Sequence, residues 1–153
     1  MTAGRRLAEL GISLPRAATP LGSYVPARRV GHLLHLSGHL AKRDGAVVTG
    51  RVGAEIDVET GRGLARQVAL DLIATAAEAA GGVDALAGVV KLAGFVRSAP
   101  GFDQQPAVIN GASDLLVEIF GEPGRHARSA IGVSELPMGA VIEICLLYTS
   151  RCV

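Results

Sequence analysis

Arg128 stands in the run Gly124-Arg125-His126-Ala127-Arg128-Ser129-Ala130-Ile131-Gly132-Val133, whose small and branched side chains read as a strand. A guanidinium set beside buried positions needs an anion, and its planar fork suits a carboxylate held by two parallel hydrogen bonds. The spacing leaves two sources for that anion. One is a bound ligand; the other is Glu143, the only acid of the next apolar run, flanked by Ile142 and Ile144 and able to pair with Arg128 across a hairpin. Three histidines, His32, His35 and His39, lie close enough in sequence to raise a metal site. Read as one strand, however, His32 faces away from the other two, and His35 and His39 stand ~13 Å apart, too far to share an ion, so no metal is expected. Ser37-Gly38 lacks the Gly-x-Ser-x-Gly frame of a nucleophile elbow and reads as a serine bonded to backbone near a strand end.

The elements that must position these groups follow from periodicity. Thr2 caps a short helix to Leu10, and Pro15, Pro20 and Gly22 then keep the chain irregular up to Tyr24. Val30 to His39 and Ala46 to Thr49 read as two antiparallel strands joined at Asp44-Gly45. Asp57 caps a helix in which Leu64, Val68, Leu72 and Ala76 recur every four residues until Gly81-Gly82. A strand over 87–96, a helix over 106–120 and strands over about 127–134 and 140–147 complete a β-β-α-β-α-β-β order. With one apolar stripe per helix, the expectation is a single α+β domain, a mixed sheet with two helices on one face. The second face is left for water or a partner subunit.

Composition narrows the function. The 153 residues carry fifteen Lys and Arg against fourteen Asp and Glu, a net charge of +1, with no basic stripe, so no nucleic-acid partner is expected. Asp71, Glu78, Asp84 and Lys91 break the apolar stretches well short of the ~18 residues that cross a bilayer, so no membrane association is expected either. Cys145 and Cys152 both fall in the last nine residues, where they cannot staple the domain, and a reducing cytoplasm is the simplest location.

Over about residues 7 to 144 the chain resembles the RidA/YjgF reactive-intermediate deaminases, also called the endoribonuclease L-PSP family, which share a chorismate-mutase-like fold. The resemblance rests on Gly22-Ser23-Tyr24-Val25, Leu36-Ser37-Gly38, and the run from Ala127-Arg128-Ser129 through Leu136-Pro137 to Ile142-Glu143-Ile144. Gly94-Phe95-Val96, Pro100-Gly101-Phe102, Val108-Ile109-Asn110-Gly111 and Phe120-Gly121-Glu122 are similar to a subgroup with an extended N-terminal helix. The resemblance implies a homotrimeric barrel with ligand clefts between subunits and no cofactor. It implies that Arg128 clamps the carboxylate of a 2-imino acid or its enamine and that Tyr24 lines the cleft. Glu143 would help place the attacking water, assisted by backbone near Ala130, with Ser37 and Gly38 among the substrate-binding positions. The alternatives are a noncatalytic binder of small carboxylate metabolites and, third, an endoribonuclease.

Three departures stand out. Ala130 occupies a position where many deaminases have Cys, and His39 one where Gln is usual. Residues 145–153 differ from the expected ending and read as an atypical, non-native tail after a domain of residues 1–144.

Overall fold

The computed structural model describes residues 1–20 and 22–151. Helix α1 (Ala3–Glu9) begins as expected, with the Thr2 side chain accepting a hydrogen bond from the amide of Arg5. Seven further elements bring the chain to its first long strand: β1 (Ala27–Val30), β2 (Leu33–Leu36), β3 (His39–Leu40), β4 (Lys42–Arg43), β5 (Ala46–Val47), α2 (Val58–Ala80) and β6 (Leu86–Arg97). Helix α3 (Gln105–Phe120) and strands β7 (Ala127–Val133) and β8 (Ile142–Ser150) follow.

The stretch expected to be one strand over 30–39 is a hairpin. Gly31, at φ 58°, turns the chain so that β1 pairs with β2, and Ser37-Gly38 then separates β2 from β3. His32 therefore sits in a turn, and His35 and His39 belong to different strands. Asp44 and Gly45 both have positive φ, the signature of a tight hairpin, and join β4 to β5 as the sequence suggested. Helix α2 starts at Asp57, whose carboxylate accepts from the Thr60 amide at 2.7 Å, and ends at a left-handed Gly81.

The main sheet runs β1-β2-β8-β6-β7, with β3 beside β8, and β4-β5 forms a separate ribbon. Among the strands of the described residues β6 and β7 are the one parallel pair, because α3 carries the chain back between them. The α+β class and mixed sheet agree with the sequence; the expected barrel does not. Among the described residues no sheet closes: the five-strand path is open, with β1 and β7 as its edges.

One face of the sheet is covered by helices. Ile142, Ile144, Leu146 and Tyr148 of β8 are buried on that side, with Tyr148 edge-on to Phe120 of α3 at 6.0 Å between ring centroids. Glu143, Cys145, Leu147 and Thr149 alternate onto the other face and are half-buried. Residues 145–150, compositionally set apart in the sequence, thus form most of β8, while Cys152 and Val153 lie outside the described residues. No helix of the described chain is long and apolar enough to cross a membrane.

The fully buried Tyr148 hydroxyl has no hydrogen-bond partner among the described residues. A polar atom left unsatisfied in a core costs free energy that a phenyl ring of the same shape does not. Tyr148→Phe is therefore expected to stabilise the chain by about 1 kcal/mol, raising Tm by about 2–4 °C in a thermal melt. An unchanged or lower Tm would show that the hydroxyl is accommodated.

Candidate functional site

The residues singled out from the sequence fall into two groups. Tyr24, Ser37 and Gly38 line one cavity of about 580 Å³, together with His39, Asp71 and Met138. Ser37 ties this wall together: its hydroxyl donates to the Val25 carbonyl at 2.7 Å and its amide to the Pro26 carbonyl at 2.9 Å. The irregular segment that carries Tyr24 is thereby stitched to the start of β3, the backbone role its sequence context suggested. Glu143 stands immediately behind Gly38, since a Cβ built on Gly38 would overlap the Glu143 carboxylate. Glycine there lets the carboxylate approach the main chain.

Burial raises the Glu143 carboxyl above its ordinary value, with desolvation as the cause. His39 moves the other way. Desolvation lowers it, against a bond to Ser37 and the nearby Asp71 charge, which raise it. Its ring spans from the Ser37 carbonyl, 3.0 Å from Nδ1, to the Thr75 hydroxyl, 3.1 Å from Nε2, so β3 is pinned to α2. Nothing in the sequence marked Thr75 or Asp71, because their place beside His39 depends on how α2 crosses the sheet.

Arg128 and Ala130 form the second group, on edge strand β7. Arg128 aligns with Leu92 of β6 while Glu143 aligns with Phe95, so β6 lies between them and the odd offset points them to opposite faces. The internal Arg128 to Glu143 ion pair is thus ruled out in this chain: the two strands never pair, because α3 returns β7 parallel to β6. Arg128 reaches α3 instead. Its Nη1 donates to Asn110 Oδ1 at 2.8 Å and to Ser113 Oγ at 3.1 Å, and its Nη2 to the Pro106 carbonyl at 3.4 Å. Ser113 Oγ lies 2.9 Å from His126 Nε2, and His126 Nδ1 lies 2.7 Å from the Gly124 carbonyl.

All of Arg128's partners are neutral, and among the described residues no carboxylate pairs with it. Sequence reasoning missed Asn110, Ser113 and His126 in this role. A signal existed: positions 106, 110 and 113 share one helical face, and His126 stands two residues before Arg128, at the entrance to β7. Among the described residues no group of three or more His, Cys, Asp or Glu side chains is placed to hold a metal ion.

A family model described as "YjgF/chorismate_mutase-like, putative endoribonuclease" matches residues 4–151, and the chain belongs to that family. It is 47% identical over 140 residues to protein TCP17 of Trypanosoma cruzi, covering 90% of this chain and 88% of that protein. It is 34% identical over 135 residues to a 2-iminobutanoate/2-iminopropanoate deaminase of Dermatophagoides farinae, covering 87% and 90%. Among solved structures, a protein of unknown function from Agrobacterium tumefaciens superposes with a TM-score of 0.87 at 40% identity, covering 98% of this chain and 94% of that one.

The raised Glu143 carboxyl has a thermodynamic consequence. A group whose folded pKa exceeds its unfolded value contributes stability below the unfolded pKa and loses it as pH rises through the folded pKa. Wild type should therefore lose stability relative to Glu143→Gln as pH climbs from about 4 towards neutrality. Urea unfolding of both proteins across that range checks it, and a difference independent of pH would show that Glu143 titrates as it does in the unfolded chain.

Proposed function

We propose that this chain is a deaminase of 2-imino acids and their enamines, working at clefts formed between subunits of a homotrimer. The observation that carries the reading is the split just described. Arg128 presents an uncompensated charge on the β7 edge, and the cavity with Tyr24, Ser37, Gly38 and the nearby Glu143 lies on the other side of β6. Each half is suited to part of one reaction but stands apart from the other within a chain. A second copy placing its β7 edge against this cavity joins them. The 34% identical 2-iminobutanoate/2-iminopropanoate deaminase supports the same chemistry.

The proposed steps ask little of the protein beyond orientation. An enamine tautomerises to the imine, whose C2 is already electrophilic. Arg128 holds the substrate carboxylate, and backbone near Ala130 helps hold a water. Glu143, whose desolvated carboxylate is a stronger base than an exposed one, takes a proton from the water as its oxygen bonds to C2 and passes that proton to the imine nitrogen as the C=N π bond opens. In the resulting carbinolamine the same carboxylate moves the hydroxyl proton to the amine, the C–N bond breaks as C=O forms, and ammonia and the keto acid leave with Glu143 ionised again. Every electron pair stays with substrate and water, so the scheme uses no cofactor.

Arg128→Lys keeps the charge but loses the fork, and kcat/KM for ammonia release from freshly generated 2-iminobutanoate should fall by the equivalent of about 2–4 kcal/mol. Glu143→Gln should lower kcat more than ligand affinity. Binding without ammonia release in wild type would favour the noncatalytic alternative. Mixing tests the shared cleft: Arg128→Ala and Glu143→Gln subunits, each impaired alone, should regain about a quarter of the wild-type activity after dissociation and reassembly. No recovery in demonstrably mixed assemblies would sink the intersubunit proposal.

A further inference from the structure

We propose that Ser113 and His126 are positioning residues that fix the Arg128 guanidinium for its carboxylate, an inference that rests on the clamp reading above. The hydrogen-bond directions are dictated by chemistry. Arginine only donates, so Ser113 Oγ must accept from Arg128 Nη1, 3.1 Å away. The Gly124 carbonyl only accepts, so His126 Nδ1, 2.7 Å from it, carries a proton. In the neutral ring Nε2 is then an acceptor, and the Ser113 hydroxyl, 2.9 Å away, donates to it. Every bond in the series from Arg128 to Gly124 therefore runs the same way, an arrangement in which each donor polarises the next.

The far end of this series is anchored by packing. A Cβ on Gly124 would overlap the Leu116 carbonyl of α3, and the Gly124 amide is held by the Gly121 carbonyl at 2.9 Å. The carbonyl that sets the histidine tautomer is thus fixed against the same helix that carries Ser113. A helical serine left to itself commonly turns its hydroxyl back onto the carbonyl four residues earlier. Here His126 draws that hydrogen outward and leaves the oxygen lone pairs for Arg128.

The consequence is a one-sided arginine. Nη1 is committed to Asn110 and Ser113, while among the described residues Nε has no hydrogen-bond partner and Nη2 has only the long bond to Pro106. Nε and Nη2 form the edge that grips a carboxylate with two parallel bonds. Anchoring the opposite corner holds that edge outward and lowers the ordering cost of binding.

The test is carboxylate discrimination, the ratio of dissociation constants for 2-oxobutanamide and 2-oxobutanoate, measured by calorimetry on the full chain as it assembles. Losing a bond that orients a charged group should lower this ratio about tenfold in Ser113→Ala, with a comparable loss in His126→Phe, while Ser113→Thr retains it. A variant that merely loosens the fold weakens both ligands together and leaves the ratio intact. If His126→Phe is insoluble, His126→Asn, too short to span both neighbours, replaces it. An unchanged ratio in the Ser113 and His126 variants, with a loss in Arg128→Lys, overturns this inference and leaves the clamp standing. An unchanged ratio in Arg128→Lys overturns the clamp and the inference together. A loss in Ser113→Ala but not at position 126 removes His126 from the role.

Discussion

The placement of β6 between β8 and β7 is the constraint on which the rest of the site depends. Its antiparallel edge carries β8 and hence Glu143, and its parallel edge carries β7 and hence Arg128. A parallel pair cannot be made with a tight turn and needs a crossover, which α3 supplies. That crossover lays α3 across the face from which Arg128 projects. Pro106, Asn110 and Ser113 are available to the guanidinium because of the same connection that keeps β7 from pairing with β8.

The two halves are held by different physics. Around Arg128 the partners are neutral dipoles, which orient a cation without cancelling its charge. Around Glu143 the controlling effect is removal of water, since burial alone raises its carboxyl. An oriented cation and a desolvated carboxylate on one strand pair would have neutralised each other. Their separation by one strand and one sheet face preserves both.

Much of this was legible in the sequence where the signal was local. The Asp57 cap, the four-residue recurrence through α2, the Asp44-Gly45 turn and the strand character of 127–133 all depend on neighbours within a few residues. What failed was long-range. Val30 to His39 has strand-forming residues throughout, and only the backbone freedom of Gly31 and the Ser37-Gly38 break divide it. The Arg128 to Glu143 hairpin was the economical reading of two consecutive strands, but consecutive strands need not be neighbours once a parallel partner intervenes. The barrel came from resemblance rather than from any pattern in the residues, and the strand path shows open edges. Family motifs located Tyr24, Ser37, Gly38, Ala130, Arg128 and Glu143 as candidates, while Asn110 and Ser113 lay on a helix whose apolar stripe was the feature that stood out, and their meeting with Arg128 depends on how α3 packs.

Those supporting residues illustrate how a helix can serve two purposes at once. Helix α3 buries Val108, Ile109, Ala112, Leu115, Leu116 and Ile119 between α2 and the sheet, which fixes its rotation and distance. With rotation fixed, the face of Pro106, Asn110 and Ser113 can meet only the β7 edge. Packing of the apolar stripe therefore sets the polar geometry to within the tolerance of a hydrogen bond, and no separate device is needed to aim the arginine. A substitution that shifts α3, even far from Arg128, should change the guanidinium's setting as well as stability. The core and the candidate anion site are in this sense one structure, coupled through the rigid helix between them.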